Sequence, residues 1–400
     1  MIDGVLSTVL LDLIIVLIAA KIGGWLSEKI GQPEVFGEIL VGLILGPSIL
    51  GIINPFATEE NAKIIFEIIS FLGEIGIMLL LFQVGLESNI YKLIKCGKTS
   101  LLVALIGVIT PFFLGFSFLF FVLKYSFIIS VFVGSTLVAT SVGITMRVLK
   151  DMKKINSEEG RIILGAAVID DVIGLIFLSS AIGLLTATNI SVNEILVNAF
   201  IKMITAILFL TASIWIGIKF SPYIFKIVQK LKIKRTFIVS AFIFMLVYGY
   251  LANSVGLAAI VGAFAAGLIF ERLEEKEHFK ERVKPVANIF VPVFFVLAGS
   301  YVSIKSFANP FNLILIIIIF IIAITGKMVS GIGAIKTKAK KMSIGLGMIP
   351  RGEVGLICAS YGLSAGLFTN DLYSILVAVI MLTTLIAPPC ISYSLKRRNK

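Results

Sequence analysis

The sequence predicts an all-α polytopic membrane protein of about 13 transmembrane helices, built as inverted repeats and containing two discontinuous helices. Three observations carry that prediction. Hydrophobic residues make up 58% of the chain and charged residues 14%, with a mean hydropathy of +1.07; a soluble domain is nearly half apolar and about a quarter charged. Apolar runs of about 20 residues, the length a helix needs to cross a bilayer, recur from end to end. Basic residues collect in alternate loops between those runs. Strands of alternating polarity are absent from the pattern, which excludes a membrane β-barrel.

In chain order the apolar runs fall at residues 5–27, 33–49, 63–86, 100–123, 127–148, 160–185, 193–218, 235–252, 256–271, 283–302, 307–334, 342–363 and 371–395. Connectors such as Lys124-Tyr125-Ser126 and Asn253-Ser254-Val255 are short enough for hairpins. Of the 35 basic residues, 28 lie in loops after odd-numbered runs or in the tail; the opposite side has only Lys63, Lys124, Lys202 and Lys305. Such an excess marks the cytoplasmic face, so the N-terminus is expected outside and the C-terminus inside the cytoplasmic (inner) membrane. The net charge of +12 then reflects topology and not a nucleic-acid surface. Met1–Ser7 has neither the basic stretch nor the cleavage site of a signal peptide.

The chain holds no Walker motif, and only about five residues follow the last run, so no nucleotide-driven step is expected. Cys96, Cys358 and Cys390 lack metal-ligand spacing, and the lone histidine, His278, sits in a charged run. No histidine metal site and no cofactor are expected.

Two runs are interrupted in corresponding places. The fifth reads Val133-Gly-Ser-Thr-Leu-Val-Ala-Thr140-Ser141-Val-Gly143-Ile-Thr145, and the twelfth Gly345-Leu-Gly347-Met-Ile-Pro350-Arg351-Gly352-Glu353-Val-Gly355. Residues 1–185 hold six runs and form one repeat, 186–234 form a linker helix, and 235–400 hold the second six. The odd linker inverts the second repeat. Matched interruptions in two inverted halves are the sequence mark of a transport site.

Asp170 and Asp171 stand side by side near the middle of the apolar run Gly165–Leu178. A carboxylate at bilayer depth costs roughly 2.5–3.5 kcal/mol on insertion scales, so the pair points to proton and cation handling in a transporter, not to an enzyme. Neighbours on a helix are about 100° apart, which favours separate roles, one acid facing a cavity and the other a partner helix. Lys327 lies nine residues before the first loop lysine, too deep to snorkel with ease, and is expected to pair with one aspartate. Arg351 and Glu353 sit at the twelfth run's interruption, where half-helix ends leave partial charges to neutralise. Thr140 and Ser141 offer oxygens that suit a hard cation such as sodium. Glu38, Glu74 and Gln83 are further polar residues in apolar runs, and Glu74 and Gln83 are candidates to reach the site.

Together these residues make the chain resemble the second monovalent cation:proton antiporter family, in particular its NapA-type sodium/proton members. The resemblance covers nearly the whole chain. It rests on Gln32-Pro33-Glu34-Val35-Phe36-Gly37-Glu38-Ile39-Leu40 leading to Gly46-Pro47-Ser48, and on Leu79-Leu80-Leu81-Phe82-Gln83-Val84-Gly85-Leu86-Glu87. Asp170-Asp171, Pro292-Val293-Phe294-Phe295, Gly326-Lys327 and Pro350-Arg351-Gly352-Glu353 complete it. The resemblance implies an NhaA/NapA-like antiporter fold: a dimerisation domain, a core domain with two crossed broken helices, homodimers, and elevator-like alternating access. It implies that Asp171 is the carboxylate that binds the metal ion and that Asp170 is the partner of Lys327. An Asp-Asp pair resembles the electrogenic members. Some relatives carry an acid in the first broken helix, where this chain has Thr140 and Ser141.

The expected activity is exchange of Na+ (or Li+) for H+ across a lipid bilayer, with no nucleotide and no nucleic acid as partner. The alternative within the family is K+/H+ exchange. A cation channel would need a repeated carbonyl-rich filter, which the sequence does not show. An organic-anion/Na+ symporter would not need a buried Asp-Asp pair with Lys327.

Overall fold

The computed structural model describes residues 2–56, 59–87, 97–183, 197, 201, 204–213, 215–217, 219, 236–271, 273, 276–335 and 337–396. Within the helices some side chains lie outside that description, those of Asp171 and Glu353 among them. The linker helix expected at 186–234 falls largely outside the described residues.

Among the described residues all regular structure is helical. In chain order the helices are α1 (Ile2–Lys29), α2 (Glu34–Leu45), α3 (Glu60–Glu87), α4 (Gly97–Ser117), α5 (Phe127–Thr136), α6 (Val142–Asp151) and α7 (Glu158–Gly183). They continue as α8 (Thr236–Ser254), α9 (Ala259–Phe270), α10 (Lys276–Ser300), α11 (Pro310–Met328), α12 (Lys341–Gly347), α13 (Glu353–Ser364) and α14 (Asn370–Lys396). Six helical segments among the described residues are long and apolar enough to cross a membrane, and further apolar helices are shorter. The protein is a multi-pass membrane protein. These elements do not establish the expected count of thirteen, because two spans run as separate half-helices and most of 184–235 is outside the described residues.

The chain divides into two compact units, Met1–Ile90 with Thr186–Val302, and Tyr91–Leu185 with Ser303–Lys400. The first unit contains α1–α3 and α8–α10. Lipid tails are as apolar as leucine, so helices in a membrane associate through close packing at small residues. A Cβ on Gly37 of α2 would lie 1.9 Å from the Gly23 carbonyl oxygen of α1, and one on Gly42 2.0 Å from the Val296 carbonyl oxygen of α10. Only glycine permits those approaches. Val16, Ala20, Leu45, Ile69, Val293 and Val296 fill the space between the helices.

The second unit contains α4–α7 and α11–α14. Val103, Ala104, Ile163, Ala166, Ala167, Ile344 and Met348 form one of its cores. Both interrupted spans are broken here. α5 stops at Thr136 and α6 starts at Val142; α12 stops at Gly347 and α13 starts at Glu353. Pro350 lacks an N–H and clashes with a preceding turn, so the second break has a clear local cause. The first break contains neither Pro nor Gly among residues 137–141. Its backbone is satisfied across the unit: the Ser141 amide donates to the Pro350 carbonyl at 2.7 Å. Irregular backbone survives at membrane depth only where protein covers it. Leu137, Val138, Thr140, Ser141, Met348 and Ile349 are all buried.

Candidate ion-binding site

The two breaks meet, and beside the Ser141–Pro350 backbone bond their contacts are made by hydroxyls and one guanidinium. Thr145 of α6 donates to the Gly347 carbonyl at 2.7 Å. Thr140 lies 3.3 Å from the Met348 carbonyl. Both acceptors sit at the C-terminal end of α12, whose last carbonyls have no helical partner.

Arg351 serves both half-helix ends. Its Nη2 donates to the Leu137 carbonyl at 2.7 Å, at the end of α5, and to the Ala323 carbonyl of α11 at 3.0 Å. Its Nη1 donates to the Ile349 carbonyl at 3.2 Å. The side chain is fully buried. A helix C-terminus carries about half a negative charge, and two of them end here. Arg351 supplies the opposite sign in a planar fork that reaches three carbonyls at once. Thr384 of α14 holds the Arg351 carbonyl at 2.6 Å and so fixes the backbone from which the fork extends.

Asp170 lies in the middle of α7, and the helix leans on the first break. One turn beyond it, a Cβ on Gly174 would be 3.8 Å from Val138 and Ala139 side-chain atoms. Lys327 reaches Asp170 from the last turn of α11: its Nζ is 2.9 Å from Oδ1 and 3.0 Å from Oδ2. Neither side chain is exposed. Thr140 of the broken span and Arg351 both lie close enough to act on the same carboxylate. One carboxylate thus faces an ammonium, a guanidinium and a hydroxyl from the broken span. Lys327 does not snorkel.

The structure therefore brings Asp170, Lys327, Thr140, Ser141 and Arg351 into the second unit, around the meeting breaks. Ser141 packs against Gly352, where a Cβ would lie 2.8 Å from its Oγ. Asp171 follows Asp170 on α7, and its side chain lies outside the described residues. Glu353 is the first residue of α13, a position where negative charge favours the helix dipole; its side chain also lies outside the described residues. Glu38, Glu74 and Gln83 belong to the first unit, Glu38 buried in α2 and the other two on α3.

Sequence reasoning gave no part to Ser330, a fully buried hydroxyl three residues after Lys327. The spacing was the available signal, since residues three apart share a helix face. Pro111, inside α4 and against α11, was also passed over: a Cβ on Gly326 would lie 2.7 Å from its Cα.

The fold matches that of the sodium proton antiporter MjNhaP1 from Methanocaldococcus jannaschii, with a TM-score of 0.73 and 18% identity, over 99% of this chain and 100% of that one. In sequence the chain is 36% identical to the high-affinity Na+/H+ antiporter NhaS3 of Synechocystis, covering 96% of this chain and 89% of the relative. It is 38% identical to the probable Na+/H+ antiporter GerT of Bacillus cereus, covering 94% and 97%. The model of the transmembrane sodium/hydrogen exchanger family matches residues 16–397, and the chain belongs to that family of cation:proton antiporters.

Proposed function

We propose that this protein exchanges Na+ or Li+ for H+ across the cytoplasmic membrane, with Asp171 as the residue that binds the ion and Asp170 with Lys327 as the charge pair beside it. The observation that carries the reading is the fully buried Lys327–Asp170 pair at 2.9 and 3.0 Å, set against two broken helices. A membrane protein that only needed stability would gain little from it, since a buried ion pair is weak stabilisation against an apolar replacement. The names of NhaS3 and GerT support sodium and proton as the ions.

The cycle follows from the charges. Proton and sodium compete for Asp171. Either one neutralises the carboxylate enough for the unit that bears it to move through apolar surroundings, which a bare charge resists. Thr140 and Ser141 supply oxygens near the carboxylates, and Arg351 with Glu353 neutralise the half-helix ends. If two protons exchange for one sodium, each cycle moves one charge, and voltage contributes about 2.3 kcal/mol per 100 mV. In this reading the chain forms homodimers, its N-terminus lies outside and its C-terminus inside, and residues 1–185 and 235–400 are inverted repeats joined by 186–234.

The experiment is transport by the purified protein in proteoliposomes, with Na+, Li+ or K+ gradients and with or without an imposed voltage. Proton movement driven by Na+ and Li+ and accelerated by voltage supports the proposal. Proton movement driven by K+ alone identifies the potassium alternative.

A further inference from the structure

One polar group beside Lys327 has no part in the exchange cycle just described. Ser330 lies in the 3₁₀ turn Val329–Gly333 that ends α11. Its side chain is fully buried, and among the described residues its hydroxyl has no hydrogen-bond partner. Buried hydroxyls are nearly always paired, so an orphan calls for a reason. Gly107 of α4 lines the same space. Gly107 faces both the serine and the lysine. The point where its Cβ would stand is 3.8 Å from Ser330 Oγ and 3.9 Å from Lys327 Nζ.

We propose that Ser330 Oγ is a second seat for the Lys327 nitrogen, occupied when a cation takes the aspartates and Asp170 releases the lysine. This rests on the sodium/proton reading above. A cation arriving beside Asp170 repels the ammonium, and a lysine stripped of its carboxylate at this depth needs other partners. The flexible lysine stem lets the nitrogen pivot while the backbone stays put. A hydroxyl suits either form of the amine, since it accepts from an ammonium and donates to a neutral amine. The absent side chain of Gly107 keeps the seat uncrowded, since a Cβ there would stand 3.2 Å from Ser330 Cβ. The orphan hydroxyl of the structure is then a seat not in use. Ser330 is a positioning residue, acting on the ion through Lys327.

The test uses the full-length protein in proteoliposomes, with Na+-driven proton movement as readout, for Ser330→Ala and Gly107→Ala. The first removes the hydroxyl. The second places a methyl between the lysine and its seat. Both raise the Na+ KM about tenfold, the worth of a charge-assisted hydrogen bond, and leave the maximal rate in place. Ser330→Ala also removes an unpaired buried hydroxyl, so its thermal stability in detergent without Na+ equals or exceeds that of the wild type. A serine that only packs would show the stability result without the KM shift. A wild-type Na+ KM in Ser330→Ala overturns the seat, including when Gly107→Ala alone is impaired. Wild-type protein that moves no protons under a Na+ gradient in the same vesicles overturns the exchange reading instead.

Discussion

Lys327 holds both oxygens of Asp170, at 2.9 and 3.0 Å, from a helix 157 residues away in sequence, and neither side chain is exposed. Removing one partner of such a pair leaves the other charge buried without compensation, which costs about 3–5 kcal/mol. Lys327→Ala is therefore expected to lower the thermal stability in detergent by that order. The double variant Lys327→Met with Asp170→Leu, which removes both charges and refills the space, should regain most of it while transport is lost. A single variant as stable as the wild type would show that the pair is not buried as described.

Arg351 ties the two half-helix ends together through the carbonyls of Leu137, Ile349 and Ala323. Each buried carbonyl left without a donor costs about 1–3 kcal/mol. Arg351→Met should destabilise the protein by several kcal/mol on that basis. Arg351→Lys keeps the charge and loses the fork, so it should fall between the two. Thermal unfolding followed by tryptophan fluorescence orders the three proteins, and equal midpoints would contradict the crossing's dependence on this side chain.

Much of this arrangement was legible in the sequence, because a bilayer makes polar residues conspicuous. Asp170, Lys327 and Arg351 stood out by cost alone, and the glycines and Pro350 marked the second break. The first break was harder. Residues 137–141 contain no helix breaker, and the chain leaves the helix there because the Ser141 amide finds the Pro350 carbonyl in a partner more than 200 residues away. Arg351's acceptors were invisible for a related reason: backbone carbonyls have no sequence signature. Ser330 was missed because a serine in an apolar run is cheap, and only its lack of a partner in three dimensions makes it unusual. The division into two units, each drawn from two separate stretches, follows from packing and not from any local feature.

If sodium and protons compete for one carboxylate, acid acts as a competitive inhibitor. The apparent Na+ KM should rise as pH falls, approaching about tenfold per pH unit once the carboxylate is mainly protonated, while the rate at saturating Na+ holds. The check is a Na+ titration of proton movement in proteoliposomes at several pH values. A KM that stays level while the maximal rate falls would point to a separate regulatory proton site.

The central claim places the ion on Asp171, next to the pair that Asp170 makes with Lys327. The most direct measurement is Na+-driven pH change in proteoliposomes containing Asp171→Asn, with the amount of folded protein matched to the wild type. The account predicts no pH change above that of protein-free vesicles at any Na+ concentration tested. Exchange at the wild-type rate and Na+ dependence would contradict it and move the ion site elsewhere.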